Sequence, residues 1–387
     1  MIGADPIIDL PMQTERHRLT VCTPGTTREL VSLHFGAAGG GPKALIQTSL
    51  HADEPPGLLV AWHLRRELAA LEESGKLRGE VVLVPMANPV GAAQRVLGRA
   101  LGRFELTGGE NFNRNYADLS AAAFARLSES IDTGARPTVD EVRAALRESC
   151  AQLPADSELK SLRKTLLGLA IDADLVIDLH CDNEAALHLY TATPVWPQVE
   201  PLARLLGAEV CLLATESGGE PFDESCSMVW TRLNECWRQH AGVESGWSPA
   251  CVAVTIELRG ETDVSHELAR RDAAAILAYL THLKIIDSTP TPLPTLLREP
   301  RPLEGSMPVV TPVGGVLVHR PLLGRTVSKG ECIAEVIDPL SGGCTELTSP
   351  VDGFLYARES VRVVHAGMPI AKVAGTEAIR SGSLLSA

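Results

Sequence analysis

Four short apolar runs along the chain end in polar residues that a strand does not need. Ala44–Leu50 runs into His51-Ala52-Asp53-Glu54, and Val81–Ala87 into Asn88-Pro89. Leu175–Leu179 runs into His180-Cys181-Asp182, and Val252–Ile256 into Glu257-Leu258-Arg259-Gly260. Near-continuous apolar strands of this kind belong in a sheet covered on both faces. Helical spacing lies between them. Pro55-Pro56 precede Leu64, Leu68 and Leu71, so the prolines stand where a helix starts. Thr138 and Glu141 form a capping-box pattern ahead of Val142, Ala145 and Leu146, and further helices are expected over Leu159–Leu167 and Glu267–Leu283. The alternation predicts an α/β domain with a mostly parallel sheet, in which ligands bind outside the carboxyl ends of the strands. His51, Asn88, His180 and Glu257 all fall there.

The pattern changes near Ser288. Residues 288–302 are proline-dense and read as a connector, so 1–287 is the α/β domain. Beyond it, β-type runs at Gly315–His319, Cys332–Ile337, Gly353–Ala357 and Val361–Val364 predict a small all-β domain over 303–375. Residues 376–387 form a tail expected to fray.

Composition narrows the function classes. The 387 residues are 45% hydrophobic and 21% charged, as in ordinary folded proteins, and carry a net charge of −13. An acidic chain is a poor phosphate-tracking nucleic-acid binder. No run approaches the roughly 18 to 20 apolar residues of a membrane span, and no secretory signal pattern opens the chain. Nine scattered cysteines (22, 150, 181, 211, 226, 236, 251, 332 and 344), none in a C-x-x-C pair, suit reduced thiols in a cytoplasmic protein. Cys181 reads as a packed thiol, and Trp196, Trp230, Trp237 and Trp247 as core residues by default. His63, His188, His266, His319 and His365 read as ordinary histidines.

The sharpest local signal is His51-x-x-Glu54 at a strand end, where an imidazole and a carboxylate can turn to one ion. A catalytic zinc takes three such protein ligands and leaves a position to water. His180 is the third candidate, and Asp178, two residues earlier on the same strand face, can orient its ring. Taken singly, each histidine is as well read as a satisfied strand-end residue, and H-x-x-E arises by chance in many chains. Glu257 ends an apolar strand, where burial raises a carboxyl pKa and suits it to proton transfer; an ion pair with Arg259 is the competing reading. Asn111-Phe112-Asn113-Arg114-Asn115-Tyr116 offers an arginine fork beside carboxamides, suited to holding a carboxylate, or else a surface loop with an exposed arginine.

H-A-D-E-P-P-G, N-F-N-R-N-Y, D-L-H and T-I-E-L-R-G, in this order, resemble the succinylglutamate desuccinylase/aspartoacylase family, a branch of the zinc carboxypeptidase-like hydrolases. The resemblance covers about residues 15–375. It implies a carboxypeptidase-like mixed sheet with helices on both faces plus the β domain. The implied activity is a zinc-dependent amidohydrolase, with one zinc per chain, that removes the acyl group from a small N-acyl amino acid or related amine by metal-activated water. By motif, His51, Glu54 and His180 are the implied zinc ligands and Glu257 the general base and acid. Asn113 and Arg114 are implied to hold a substrate carboxylate. The family's carbonyl-polarising arginine has its nearest match in Arg103, before Phe104, with a longer spacer to Asn113; Arg95 and Arg99 compete for the role.

Two departures stand out. Ala52 replaces the family's glycine after the first ligand, and residues 118–170 form a helix-rich segment that can lie over the cleft. The β domain also resembles a biotinyl or lipoyl barrel, but it has no lysine at the hairpin tip around Leu340–Gly343, so it reads as a wall of the cleft. The expected partner is a small N-acylated molecule, with no nucleic acid and no membrane; oligomeric state, acyl group and amine stay open. The rival readings are a metallocarboxypeptidase acting on small peptides and a non-catalytic small-molecule binding protein on the same fold.

Overall fold

The computed structural model describes residues 12–20, 23–132, 136–241, 246–320 and 322–385; Cys22 lies outside them. A nine-stranded mixed sheet forms the centre of the larger domain. In chain order its strands are β1 (Gln13–Arg18), β2 (Glu29–Gly36), β3 (Lys43–Thr48), β4 (Glu80–Val84), β5 (Leu175–Asp182), β6 (His188–Ala192), β7 (Val210–Ala214), β8 (Val252–Gly260) and β9 (Arg301–Pro302). Across the sheet they lie in the order β1-β2-β4-β3-β5-β8-β6-β7-β9. The central pairs β4–β3, β3–β5 and β5–β8 are parallel, whereas β1–β2, β2–β4 and β8–β6 are antiparallel.

Alternation within the apolar runs explains why both faces are covered. Leu45, Val82 and Val176 point to one face, Ile46, Leu83 and Ile177 to the other, as a period of two requires. Helices α1 (Pro56–Glu73), α5 (Trp196–Leu206) and α7 (His266–His282) cover the second face. Helices α2 (Ser120–Asp132), α3 (Val139–Ala151), α4 (Glu158–Ala170) and α6 (Phe222–Ala241) cover the first. Pro56 opens α1, and the Thr138–Glu141 capping box opens α3 with both of its reciprocal bonds made. Among the described residues, no helix is long and apolar enough to cross a membrane.

The segment 118–170 does not lie over the cleft. Its three helices pack on the sheet face with Trp230, Trp237 and Trp247, and none of its described residues lines the main cavity. It reaches the site differently: Arg163 on α4 donates to Glu110 Oε2 and to the carbonyl of Asn111, both at 2.9 Å.

Beyond residue 302 two antiparallel sheets enclose a separate small core. The strand Gly353–Arg358 also pairs with Glu184–Ala185, in the stretch just after β5. Residues 376–385, expected to fray, are held down. Ile379 N donates to Glu304 O (3.1 Å), Leu384 N donates to Ser217 O (2.8 Å), and Leu384 packs among Leu212, Phe354 and Tyr356. An apolar side chain every few residues gives the tail something to bury, which its Gly/Ser content conceals.

Candidate active site

The carboxyl ends of β3, β5 and β8 meet at one point. Register places His180 beside Glu257 across the β5–β8 pair, and β3 delivers the chain to His51. After β3 the backbone turns through a left-handed residue at Ser49 (φ 57°); Ala52 has no positive φ, so its methyl group is accommodated without strain.

His51, Glu54 and His180 are all buried, and one ligand atom from each lies within 4.8 Å of the others. Glu54 bridges the two rings, with Oε1 at 2.8 Å from His51 Nδ1 and Oε2 at 2.8 Å from His180 Nδ1. An acceptor on the far side of the His51 ring fixes its tautomer. Asn111 Oδ1 accepts the backbone N–H of Asn113 (2.8 Å), so the same atom, 2.9 Å from His51 Nε2, must accept from that ring nitrogen as well. His180 Nε2 lies 3.0 Å from Asp178 Oδ2, and Asp178 is fully buried. Both Nδ1 atoms face Glu54, a set of two imidazoles and one carboxylate of the kind a catalytic zinc takes. Burial, then the charge of Arg103, pushes the His51 pKa down; burial also opposes protonation of His180, but Asp178 and Glu54 raise it on balance. Burial works against ionisation of Glu54, which His51 and His180 nevertheless hold well below the usual carboxylate range.

Arg103 reaches this centre through a hairpin that absorbs the longer spacer. Glu105 N donates to Glu110 O (2.7 Å) and Phe112 N to Arg103 O (3.1 Å), so residues 105–110 close on themselves. The hairpin is clipped to the ligand turn by Ala52 N donating to Gly102 O (3.1 Å) and Gly102 N donating to Asp53 Oδ2 (2.8 Å). A side chain on Gly102 would start 2.4 Å from Asp53 N, so only glycine permits the approach. Arg103 Nη1 then donates to Glu54 Oε1 (3.1 Å) and lies 3.2 Å from His51 Nδ1. Arg95 and Arg99 are exposed on a separate small hairpin and line no part of the cavity.

A cavity of about 340 Å³ opens beside the three donors. Arg103, Asn113, Arg114 and Glu257 line it from the larger domain; Ser306, Tyr356 and Lys372 line it from the β domain, and Arg380, Leu384 and Leu385 from the tail. Asn113 is fixed by Phe222 N, which donates to its Oδ1 (2.8 Å), and Arg114 Nη1 donates to Asn113 O (2.6 Å). Glu257 does not pair with Arg259, whose guanidinium makes a two-pronged ion pair with Asp272 (2.7 and 2.8 Å). Among the described residues Glu257 Oε2 has no hydrogen-bond partner, and burial, followed by the nearby charge of Glu54, pushes its pKa up to about 8. The Cys181 thiol is pushed up by burial and by Glu54, which makes it a packed and unreactive group.

Sequence reasoning gave no role to Asn111, Arg163, Asp182, Lys372, Asp223 or Glu224. Asn111 opens the N-F-N-R-N-Y motif, and an amide two residues before Asn113 is the signal that could have singled it out. Lys372 Nζ lies 2.5 Å from Asp182 Oδ2 across the domain boundary, a pairing no local spacing reveals.

An α/β sheet that gathers two histidines, a glutamate, an unpaired carboxyl and two arginines around one small cavity has the makings of a metal-centred hydrolase. The model of the succinylglutamate desuccinylase/aspartoacylase catalytic domain matches residues 40–283. The chain belongs to that family, whose name-giving members are hydrolases of amide bonds. No curated protein matches the chain. Among solved structures, a succinylglutamate desuccinylase/aspartoacylase family protein from Shewanella amazonensis SB2B is 27% identical with a TM-score of 0.81, over 94% of this chain and 98% of that one. A second such protein, from Shewanella frigidimarina NCIMB 400, is 24% identical with a TM-score of 0.81, over 94% and 97%. The product-bound ectoine utilization protein EutE (DoeB) from Ruegeria pomeroyi shares the fold at 16% identity and a TM-score of 0.66, over 93% and 94%.

Proposed function

We propose that the protein is a zinc-dependent amidohydrolase that removes the acyl group from a small N-acylated amino acid or related amine. The observation that carries this reading is the convergence of the His51, Glu54 and His180 donors, with His51 held by its far nitrogen and Asp178 close behind His180, on a cavity that also holds Glu257 and Arg103. A zinc ion on these ligands supplies Lewis acidity and lowers the pKa of water to about 7. Glu257 takes the proton from the attacking water and passes it to the leaving nitrogen; a carboxyl raised towards neutrality is suited to both halves of that transfer. The guanidinium of Arg103 donates to the carbonyl oxygen as negative charge develops there. Asn113 and Arg114 hold the carboxylate of the substrate's amine half. The β domain and tail close the cavity to a size suited to small ligands rather than long peptides.

The test is zinc content together with release of free amine from N-acetyl, N-formyl and N-succinyl amino acids, with short peptides as the competing substrates. About one zinc per chain and cleavage of N-acyl amino acids are expected. Glu257→Gln should keep zinc and lose turnover, and His51→Ala should lose both. Normal activity in Glu257→Gln, or full zinc occupancy in His51→Ala, would refute the assignment; cleavage of peptides alone would move the protein to the carboxypeptidases.

A further inference from the structure

The cavity is polar around the metal donors and apolar along the wall shared by β7, the β domain and the tail. Strand β7 presents Leu212 and Ala214, two residues apart, on one face and Cys211 on the other. Cys211 packs into the helix-covered core, whereas Leu212 and Ala214 pack towards the β domain and line the cavity with Leu303, Tyr356, Leu384 and Leu385. One loop ties this wall to the arginine of the carboxylate-binding pair. Leu384 N donates to Ser217 O (2.8 Å), and Asn115 N donates to Gly219 O (2.8 Å). Gly218 and Gly219 both have a positive φ (84° and 81°). A Cβ on Gly218 would lie 3.1 Å from Ser383 Cα, and one on Gly219 2.9 Å from Arg114 Cδ. The tail and the stem of Arg114 are therefore packed against the same three residues, 217–219. The polar groups around this wall are engaged within the protein. Lys372 pairs with Asp182, and Arg380 donates to the carbonyls of Ser306 (2.9 Å) and Ser383 (3.3 Å). Asp223 accepts from Thr255 and from the N–H of Glu224, and Glu224 Oε1 accepts the N–H of Ser217 (2.8 Å). A charged ligand side chain would have to break one of these pairings or be desolvated against carbon. An apolar one displaces water from carbon surface and gains about four-fold in affinity for each methylene group buried.

We propose that the amine released by this enzyme is an amino acid with an apolar side chain, its α-carboxylate held by Asn113 and Arg114 and its side chain laid against Leu212, Leu303, Leu384 and Leu385. This rests on the deacylase reading and names its substrate class. The carbon that bears the carboxylate also bears the side chain, so a carboxylate on Arg114 brings that side chain to the tail leucines packed against the same loop. The tail is thereby a specificity-determining element of the cavity.

The test holds the acyl group constant and varies the side chain. The zinc-loaded full chain is assayed on N-acetyl-L-leucine, on N-acetyl-L-asparagine, whose side chain has as many heavy atoms, and on N-acetylglycine. The kcat/KM for the leucine substrate is expected to exceed that for asparagine by about ten-fold or more. Leu384→Ala is expected to lower the leucine value about four-fold or more, and to leave the glycine value, which has no side chain to place on that wall, within about two-fold. Equal kcat/KM for leucine and asparagine in the wild type sinks the apolar subsite and keeps the deacylase. So does a preference that follows the length of the acyl chain and ignores the amine's side chain. An equal loss on leucine and glycine in Leu384→Ala removes the tail from the subsite and overturns the proposal as stated. If no N-acyl substrate is turned over, the deacylase reading falls and calorimetric titration with free L-leucine and L-asparagine decides the subsite. A ten-fold preference for leucine there keeps it; equal affinities, or no binding of either, overturn it.

Discussion

Replacing Asn111 with alanine tests whether the far side of a ligand ring controls the metal centre. Asn111 is 5% exposed, and its Oδ1 accepts from His51 Nε2 (2.9 Å) and Asn113 N (2.8 Å). In Asn111→Ala both donors lose their acceptor in a buried setting, at about 1 to 3 kcal/mol for each left unsatisfied. His51 also loses the bond that fixes its tautomer, and losses of this kind lower metal affinity by about 10- to 100-fold, or about 1.4 to 2.7 kcal/mol. Competition against a chelating dye near neutral pH reads this directly. Asn111→Ala should hold zinc 10- to 100-fold more weakly, whereas Asn111→Asp, which retains an acceptor, should stay within a few-fold of the wild type. Unchanged zinc affinity in Asn111→Ala would refute the argument that this amide orients His51.

Arg163→Ala removes the tie between α4 and the carbonyl of Asn111; charge-assisted bonds of about 1.5 to 3 kcal/mol are at stake. KM should rise about ten-fold with zinc content unchanged, and a steady-state assay showing wild-type KM would exclude a role for the helical segment in placing Asn113 and Arg114. Burial, then the charge of Asp223, raises Glu224 from 4.5 to about 7. The folded state therefore retains a proton that the unfolded chain releases, and its stability falls as pH rises from about 4.5 through 7. Glu224→Gln keeps an acceptor for Ser217 N and lacks this titration, so it should gain up to about 3 kcal/mol over the wild type by pH 8 and none below pH 4. Parallel denaturant curves across that range would count against the buried-acid reading.

Local signals found the elements that build the site. Strand ends at His51, His180 and Glu257 were legible because an apolar run that stops on an ionisable residue is unusual, and the α3 cap at Thr138 because its two partners are three residues apart. The antiparallel insertion of β6 between β8 and β7 was not legible, since a five-residue run such as His188–Ala192 carries no orientation of its own. The helical segment was misplaced for a related reason: amphipathic spacing shows that α2 to α4 bury a face, but not which surface they bury it against. Arg103 could be named only by motif because its position depends on a hairpin of 105–110 and on the missing side chain of Gly102, both set by contacts with the Ala52–Asp53 turn. The tail looked unstructured because its few apolar residues find their partners at non-local positions, among them Leu212, Phe354 and Tyr356.

The pairing of Glu184–Ala185 with Gly353–Arg358 sets an order of assembly during synthesis. The three candidate metal-donor residues have all been synthesised by position 180, but the strand that covers the stretch after β5 follows about 170 residues later. At ~5 to 20 residues per second that is an interval of ~10 to 35 seconds. His51, Glu54 and His180 are therefore all present well before Tyr356, Lys372 and Leu384 arrive to complete the cavity. In a growing chain of this kind the candidate metal donors come first and the walls of the cavity last.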